Sequence, residues 1–256
     1  MPVTKSLLLC LLALAATLQL RAQTKIWITG GVNFSGAKIK NIYSPGATSQ
    51  SQKTGFHLGT FAAIPVGTHF SLEPVLEYIT KGYRYTTAVP VPGSVASAPV
   101  EYVTQQDMKP AFLQLPLHFV YKPRIGQNAL LIGAGPYFAY GTGGKSKRTS
   151  YYTGGQQVDK STSNLKFKHD LGEQPVEFYL LSSATANYSY SEPDIVYSQP
   201  LDIGISALLG FELHGRCRIQ LNSQIGLKNV AAPYKGQKKQ DVLKNRSFGL
   251  SLGYRF

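Results

Sequence analysis

The chain has 256 residues, with 26 Lys and Arg against 13 Asp and Glu, a formal charge of +13 and a pI near 9.6. Its 43% apolar content can bury a core, which excludes intrinsic disorder. Two cysteines cannot build a disulfide scaffold, and 25 glycines without a period exclude a collagen-like repeat.

The first element is a sorting signal. Lys5 precedes ten consecutive apolar residues, Leu7 to Ala16, and Leu20-Arg21-Ala22 offers a small residue ahead of Gln23. This is the pattern of a secretory signal over residues 1–22, and the apolar run is too short to cross a bilayer core of roughly 30 Å as a helix. A lipoprotein signal on Cys10 is disfavoured by the bulky Leu9 before it and by the apolar run beyond it. Cleavage would remove Lys5, Arg21 and Cys10, leaving one domain over residues 23–256 with charge +11 (24 − 13) and the single thiol Cys217.

From Ile26 onward the hydrophobic period is 2, so successive side chains point to opposite faces of strands. Ile26, Ile28, Val32 and Phe34 oppose Trp27, Thr29, Gly31 and Asn33. Phe56, Leu58, Ala62 and Ile64 oppose His57, Gly59, Phe61 and Ala63. Phe70, Leu72, Leu76 and Tyr78 oppose Ser71, Glu73, Glu77 and Lys81. Leu113, Leu115, Leu117, Phe119 and Tyr121 oppose Gln114, Pro116 and His118. Leu130, Ile132, Ala134, Phe138 and Tyr140 oppose Gly133, Gly135 and Tyr137. Three cleaner segments follow, over 203–213, 217–227 and 248–256. The last sets Phe248, Leu250, Leu252, Tyr254 and Phe256 against Ser247, Gly249, Ser251, Gly253 and Arg255.

The connections sort by length. Gly67-Thr68, Pro123 to Gln127 and His214-Gly215 are short, whereas residues 36–54, 84–109, 141–199 and 230–245 make long loops. Alternating short turns and long loops between an even number of strands is the asymmetry of an outer-membrane barrel with both termini periplasmic. A bilayer cannot solvate unpaired backbone groups, so strands that span it must close. Aromatics near segment ends (Phe70, Tyr78, Tyr121, Tyr140, Tyr254, Phe256) suit interfacial girdles. The expected fold is all-β: an eight-stranded antiparallel up-and-down transmembrane β-barrel with short periplasmic turns and long extracellular loops. The competing reading is a soluble lipocalin-like barrel, whose apolar set would point inward.

A series of short motifs runs through every segment in order. Gly30-Gly31-Val32-Asn33-Phe34-Ser35 comes first, then Thr54-Gly55-Phe56-His57-Leu58-Gly59 and Ile64-Pro65. Phe70-Ser71-Leu72-Glu73-Pro74-Val75-Leu76-Glu77-Tyr78, Leu113-Gln114-Leu115-Pro116-Leu117 and Gly133-Ala134-Gly135-Pro136-Tyr137 follow. Gly226-Leu227-Lys228-Asn229 and Leu250-Ser251-Leu252-Gly253-Tyr254-Arg255-Phe256 close the series. Together they resemble the PorT-like outer-membrane β-barrel proteins of the Bacteroidota. The resemblance implies a Gram-negative outer-membrane location and an eight-stranded barrel, and a closing Tyr254 and Phe256 like the signal read by barrel-assembly machinery. The family usually has an acidic residue where Gln114 stands, and residues 141–199 match nothing in it. The namesake's link to secretion does not transfer on fold alone.

Inside such a barrel, His57, Glu73, Glu77, Lys81, His118, Asp202, Glu212, Arg218, Lys228 and Arg255 should share the lumen. An eight-stranded barrel is narrow enough for side chains to fill, so these charges should pair as a plug. The alternative is a narrow ion or small-solute path. No close-spaced metal motif, nucleophile elbow or HExxH occurs, so neither cofactor nor catalytic site is assigned. A membrane-embedded enzyme remains a third reading, discriminated by whether a Ser/His/acid cluster forms. Lys145, Lys147, Arg148, Lys160, Lys166 and Lys168 in the longest loop, and Lys228, Lys235, Lys238, Lys239, Lys244 and Arg246 flanking the last, would meet lipopolysaccharide phosphates, surface glycans or a protein partner. Nucleic acid is not an expected partner, because the charge lies on loops without a recognition fold. Tyrosines 151, 152, 179, 188, 190 and 197 point to partial order in that loop, with strands five and six extending above the membrane.

Overall fold

The computed structural model describes residues 24–40, 47–91, 100–153, 157–171, 194–233, 235–236 and 242–255. The expected signal over 1–22, Phe256, Lys238 and Lys239 lie outside these residues. Twelve strands are described: β1 Lys25–Lys40, β2 Ala47–Pro65, β3 Phe70–Thr80, β4 Tyr83–Pro90, β5 Glu101–Tyr121, β6 Arg124–Ile125, β7 Asn128–Tyr152, β8 Gln157–Phe167, β9 Asp194–Ser198, β10 Leu201–Leu213, β11 Cys217–Gly226 and β12 Val242–Tyr254.

Eight of them close a ring in the order β1-β2-β3-β5-β7-β10-β11-β12, and β12 pairs back to β1 from Ile28↔Tyr254 to Lys40↔Val242. Every pairing in the ring is antiparallel, and closure leaves no edge for a bilayer to desolvate. The apolar set of each segment is the exposed one: Ile26, Phe56, Leu76, Leu115, Ile132, Leu209, Leu221 and Leu252 all face outward, Leu252 being 63% exposed. The polar set is buried, with Thr29, Asn33, Ser35, His57, Gln114, Ser206 and Ser251 all inside. This inversion, apolar outside and polar inside, excludes the lipocalin-like reading. Phe34, Phe56, Tyr78, Tyr140 and Phe248 ring the upper end of the belt, while Phe70, Phe119, Tyr121 and Tyr254 ring the lower. Along β5 the belt runs from Leu113 to Tyr121, which at ~3.4 Å per residue and ~40° tilt is about 20–25 Å tall.

The expected long loops are corrected in one respect: much of their length is strand. β4 continues β3 after a break at Lys81-Gly82, and there Lys81 N donates to Pro110 O at 2.9 Å. Above the belt, the top of β2 pairs with β4, β4 with β5, β5 with β7 and β7 with β8. Residues 84–90, 101–109, 141–152 and 157–167 are therefore walls of an extracellular sheet. β8 also lies parallel to β9, which leads through Gln199-Pro200 into β10. These strands carry polar residues on both faces, so no period-2 contrast reveals them in sequence.

A β-bulge marks where the sheet leaves the belt. The β5–β7 register shifts between Ala111 and Phe112, which pair with Gly143 and Gly141 and leave Thr142 as the extra residue; the φ angles of Gly143 and Gly144 are 143° and 148°. A Cβ on Gly144 would stand 2.3 Å from Lys109 O. The extra residue flips the strand's parity. Below the bulge Phe138 and Tyr140 face out; above it Lys145 and Lys147 do, with Ser146 and Ser150 buried.

Candidate functional site

The lumen is filled in three layers. At the periplasmic end, Arg218 forks onto Glu73 through Nη1 to Oε2 at 2.8 Å and Nη2 to Oε1 at 3.0 Å. Its Nε donates to Glu212 Oε2 at 2.9 Å, and Lys122 Nζ donates to the same oxygen. Ser71 Oγ donates to Glu73 Oε1 at 2.9 Å. The guanidinium lies 4.3 Å from the Trp27 ring and 4.9 Å from Phe61, two rings stacked at 5.7 Å. Two cations and two carboxylates are thus mutually satisfied, as burial demands.

At the extracellular end, Lys81 sits 3.9 Å from Asp202 Oδ2, with its ammonium 4.8 Å from the Tyr137 ring and 5.3 Å from Phe112. Asn245 Nδ2 donates to Asp202 Oδ2 at 2.9 Å, and Tyr197 OH donates to Asn245 Oδ1 at 2.9 Å. Ile79, Tyr83, Phe112, Leu165, Val230 and Leu243 pack around this group as an apolar lid.

Between the two layers lies a polar chamber of about 30 Å³, lined by His57, Glu77, His118, Ser206 and Ser251 among others. It has room for one or two waters. Thr29 Oγ1, Asn33 Oδ1, His118 Nδ1 and Gln220 Oε1 border it as buried atoms with no protein partner, the kind of group that internal water satisfies. His57 Nε2 is 2.7 Å from Ser251 Oγ, and His118 Nε2 is 2.8 Å from Ser206 Oγ. Gln114 Nε2 donates to Glu77 Oε1 at 2.9 Å.

The structure brings together eight of the ten expected lumen residues. His57 and His118 bond serines rather than carboxylates, and Glu77 takes an amide. Lys228 and Arg255 are only half-buried. Lys228 lies just past the end of β11, where the chain turns away from the wall. Arg255 follows β12 at the periplasmic rim, 5.8 Å from the Trp27 ring. Sequence reasoning missed Lys122, which falls between the segment ending at Tyr121 and the Pro123–Gln127 turn, and the serine and asparagine partners, because small polar residues on an inward face carry no distinguishing pattern. Among the described residues, no three His, Cys, Asp or Glu side chains gather as a metal ion would require.

Of the basic residues, Lys145, Lys147 and Arg148 are exposed on β7, Lys166 is exposed on β8, and Lys168 and Lys235 are exposed beyond strand ends. In the same sheet Asp107 accepts from Arg84 Nε at 2.6 Å and Nη2 at 2.9 Å, and from Lys53 Nζ at 2.8 Å. The Arg84 hydrogen bonds hold the Asp107 carboxyl down at about 2. Tyr254 is exposed at the lower rim.

The family described as outer membrane protein beta-barrel domain matches residues 21–230. No curated protein matches the chain. Among solved structures it is similar to Ail of Yersinia pestis in complex with the heparin analogue sucrose octasulfate, at 14% identity over 91% of this chain and 99% of that one, with a TM-score of 0.33. Neisserial surface protein A is 10% identical over 90% and 97%, at a TM-score of 0.33. OprG of Pseudomonas aeruginosa is 9% identical over 91% and 96%, at a TM-score of 0.35.

Proposed function

We propose that this chain, which belongs to the outer membrane protein beta-barrel domain family and resides in the cell outer membrane, is a non-conducting, non-enzymatic scaffold. It holds a basic extracellular sheet towards anionic groups of the cell surface, either lipopolysaccharide and glycans or a protein partner. The observation that carries this reading is the lumen, closed at one end by the Arg218 network and at the other by Lys81, Asp202 and their lid, with only about 30 Å³ between. Within the family, the ordered motifs from Gly30 to Arg255 support a PorT-like member of the Bacteroidota. Tyr254 and Phe256 are proposed as its signal to the assembly machinery.

Planar-bilayer recording tests the scaffold reading. The intact protein should give no unitary current. A steady unitary conductance that disappears in Glu77→Ala or Arg255→Ala would favour the narrow-channel reading instead. The two Ser–His pairs are the one feature that favours an enzyme. Each lies in a chamber too small for a substrate, and the His118 Nδ1 lacks the carboxylate that orients a catalytic imidazole. Fluorophosphonate treatment should leave Ser206 and Ser251 unlabelled, and an adduct on either would overturn this assignment.

A further inference from the structure

We propose that two cationic clusters on opposite outer walls of the barrel grip the phosphate groups of a lipid A-type glycolipid in the outer leaflet. One is Lys38, Lys244 and Arg246 on β1 and β12; the other is Lys109, Lys145 and Lys147 on β5 and β7. The proposal rests on the outer-membrane scaffold reading and names the partner of its basic surface.

Height is the first argument. On β1 and β12 the last large lipid-facing pair is Phe34↔Phe248, and Lys38↔Lys244 is the pair four residues above it. On β5, Lys109 likewise stands four residues above Leu113, and it pairs with Lys145. On β7 the bulge adds one residue between Tyr140 and Lys145, so the two walls agree. Four residues along a strand tilted ~40° rise about 10 Å, which places the amines at headgroup level. Long lysine stems let the ammonium groups reach down to that plane.

Charge is the second argument. Lys38 faces Lys244 across the ladder, and Lys109 faces Lys145. Directly opposed like charges destabilise a sheet unless an anion lies between them. Among the described residues no carboxylate pairs with any of the six cations. Asp107 stands opposite Lys147 but is already taken by Arg84 and Lys53. Two amines on neighbouring strands, ~5 Å apart at their Cβ atoms, can each donate to a different oxygen of one phosphate held between them.

Place in the ring is the third. β12 and β1 are adjacent, β5 and β7 are adjacent, and the two pairs lie half a circuit apart. Each cluster therefore faces its own sector of the lipid annulus and can hold its own glycolipid.

Native mass spectrometry of the full chain released from detergent is the test, with lipid A, dephosphorylated lipid A and inorganic phosphate as probes. The wild type should retain two lipid A molecules and no dephosphorylated lipid. Lys38→Gln/Lys244→Gln and Lys109→Gln/Lys145→Gln should each lose one, with binding at that wall weakened at least tenfold. The matching Lys→Arg pairs should keep it, and heat-modifiable gel mobility identifies any variant that has not folded. Equal retention of dephosphorylated lipid, unchanged binding in both Gln pairs, or full displacement by millimolar inorganic phosphate would each overturn the proposal. If lipid binding fails while the planar bilayer stays silent, only this inference falls. If the wild type conducts, the scaffold reading falls on separate evidence.

Discussion

Replacing Arg218 with Met keeps the stem but removes the charge that holds the periplasmic end of the lumen. Three charge-assisted hydrogen bonds disappear, two to Glu73 and one to Glu212; Lys122 still pairs with Glu212, and Glu73 loses its cation. The lost bonds alone are worth about 1.5–3 kcal/mol each. Part of that is offset, because a buried guanidinium no longer has to be desolvated. Breaking one side of a buried ion pair costs about 3–5 kcal/mol in net terms, and that is the expected loss here. Trp27 supplies the assay: it is the sole tryptophan, fully buried, stacked on Phe61 and in contact with the guanidinium. Urea unfolding from lipid vesicles, followed by Trp27 emission, should give the full loss for Arg218→Met. Arg218→Met combined with Glu73→Gln should recover most of it, because the carboxylate left without a cation is gone while Lys122 still answers Glu212. An Arg218→Met loss of less than about 1 kcal/mol would mean that the ion pair is solvated rather than buried, and the lumen open at this end.

Further predictions concern other parts of the fold. The Asp107 carboxyl, held near 2 by Arg84 rather than at its ordinary 3.8, stabilises the extracellular sheet above about pH 4 and loses that contribution as pH falls through about 2. Carbon-13 titration of a labelled carboxyl in micelles should give a midpoint near 2, and one near 3.8 would show that the clamp is not closed in solution. A Cβ on Gly135 would stand 1.8 Å from Leu117 O, whereas one on Gly67 meets nothing within 4 Å. Gly135→Ala should therefore cost about 3 kcal/mol or stop assembly, read as loss of the fast-migrating folded band, while Gly67→Ala leaves it intact. Cys217 is exposed at the periplasmic end of β11, opposite Tyr254, so an impermeant maleimide should label it only once the periplasmic face is opened. Labelling on intact cells would invert the topology.

The barrel was legible in sequence because lipid sets a contrast that strands cannot hide. Leu250, Leu252 and Tyr254 must face outward while Ser251 and Gly253 face in, and this alternation survives in every spanning segment. The lumen was legible as a list but not as bonds. Arg218 meets Glu73 across 145 residues of sequence, and His118 meets Ser206 across 88, so each partner is fixed by ring order and stagger rather than by local spacing. The strands above the belt were read as loops for a different reason. Thr104, Gln105, Gln106 and Asp107 pair with Ser150, Thr149, Arg148 and Lys147 in water, where both faces can be polar. Tyr151 and Tyr152 point to the extension of β7; the register gives the rest, together with the bulge at Thr142 between Gly141 and Gly143.

The charge surplus and the filled lumen are parts of one arrangement. Inside, no cation is left without a carboxylate: Arg218 and Lys122 face Glu73 and Glu212, Lys81 faces Asp202, and the fourth carboxyl, Glu77, accepts from Gln114. A barrel wall at these positions holds no surplus of cations, because an ammonium or guanidinium there without a carboxylate would be buried unpaired. The excess of Lys and Arg must then lie beyond the belt, and at the upper rim it includes directly opposed pairs on β1 and β12 and on β5 and β7. Lys38 opposite Lys244 and Lys109 opposite Lys145 are costly pairings that neither closure of the ring nor packing of the lumen requires. At the mid-height of the belt the same side chains would cost about 2–4 kcal/mol each. A height four residues above the last lipid-facing residues is therefore set by what lies beside the wall, not by what lies within it.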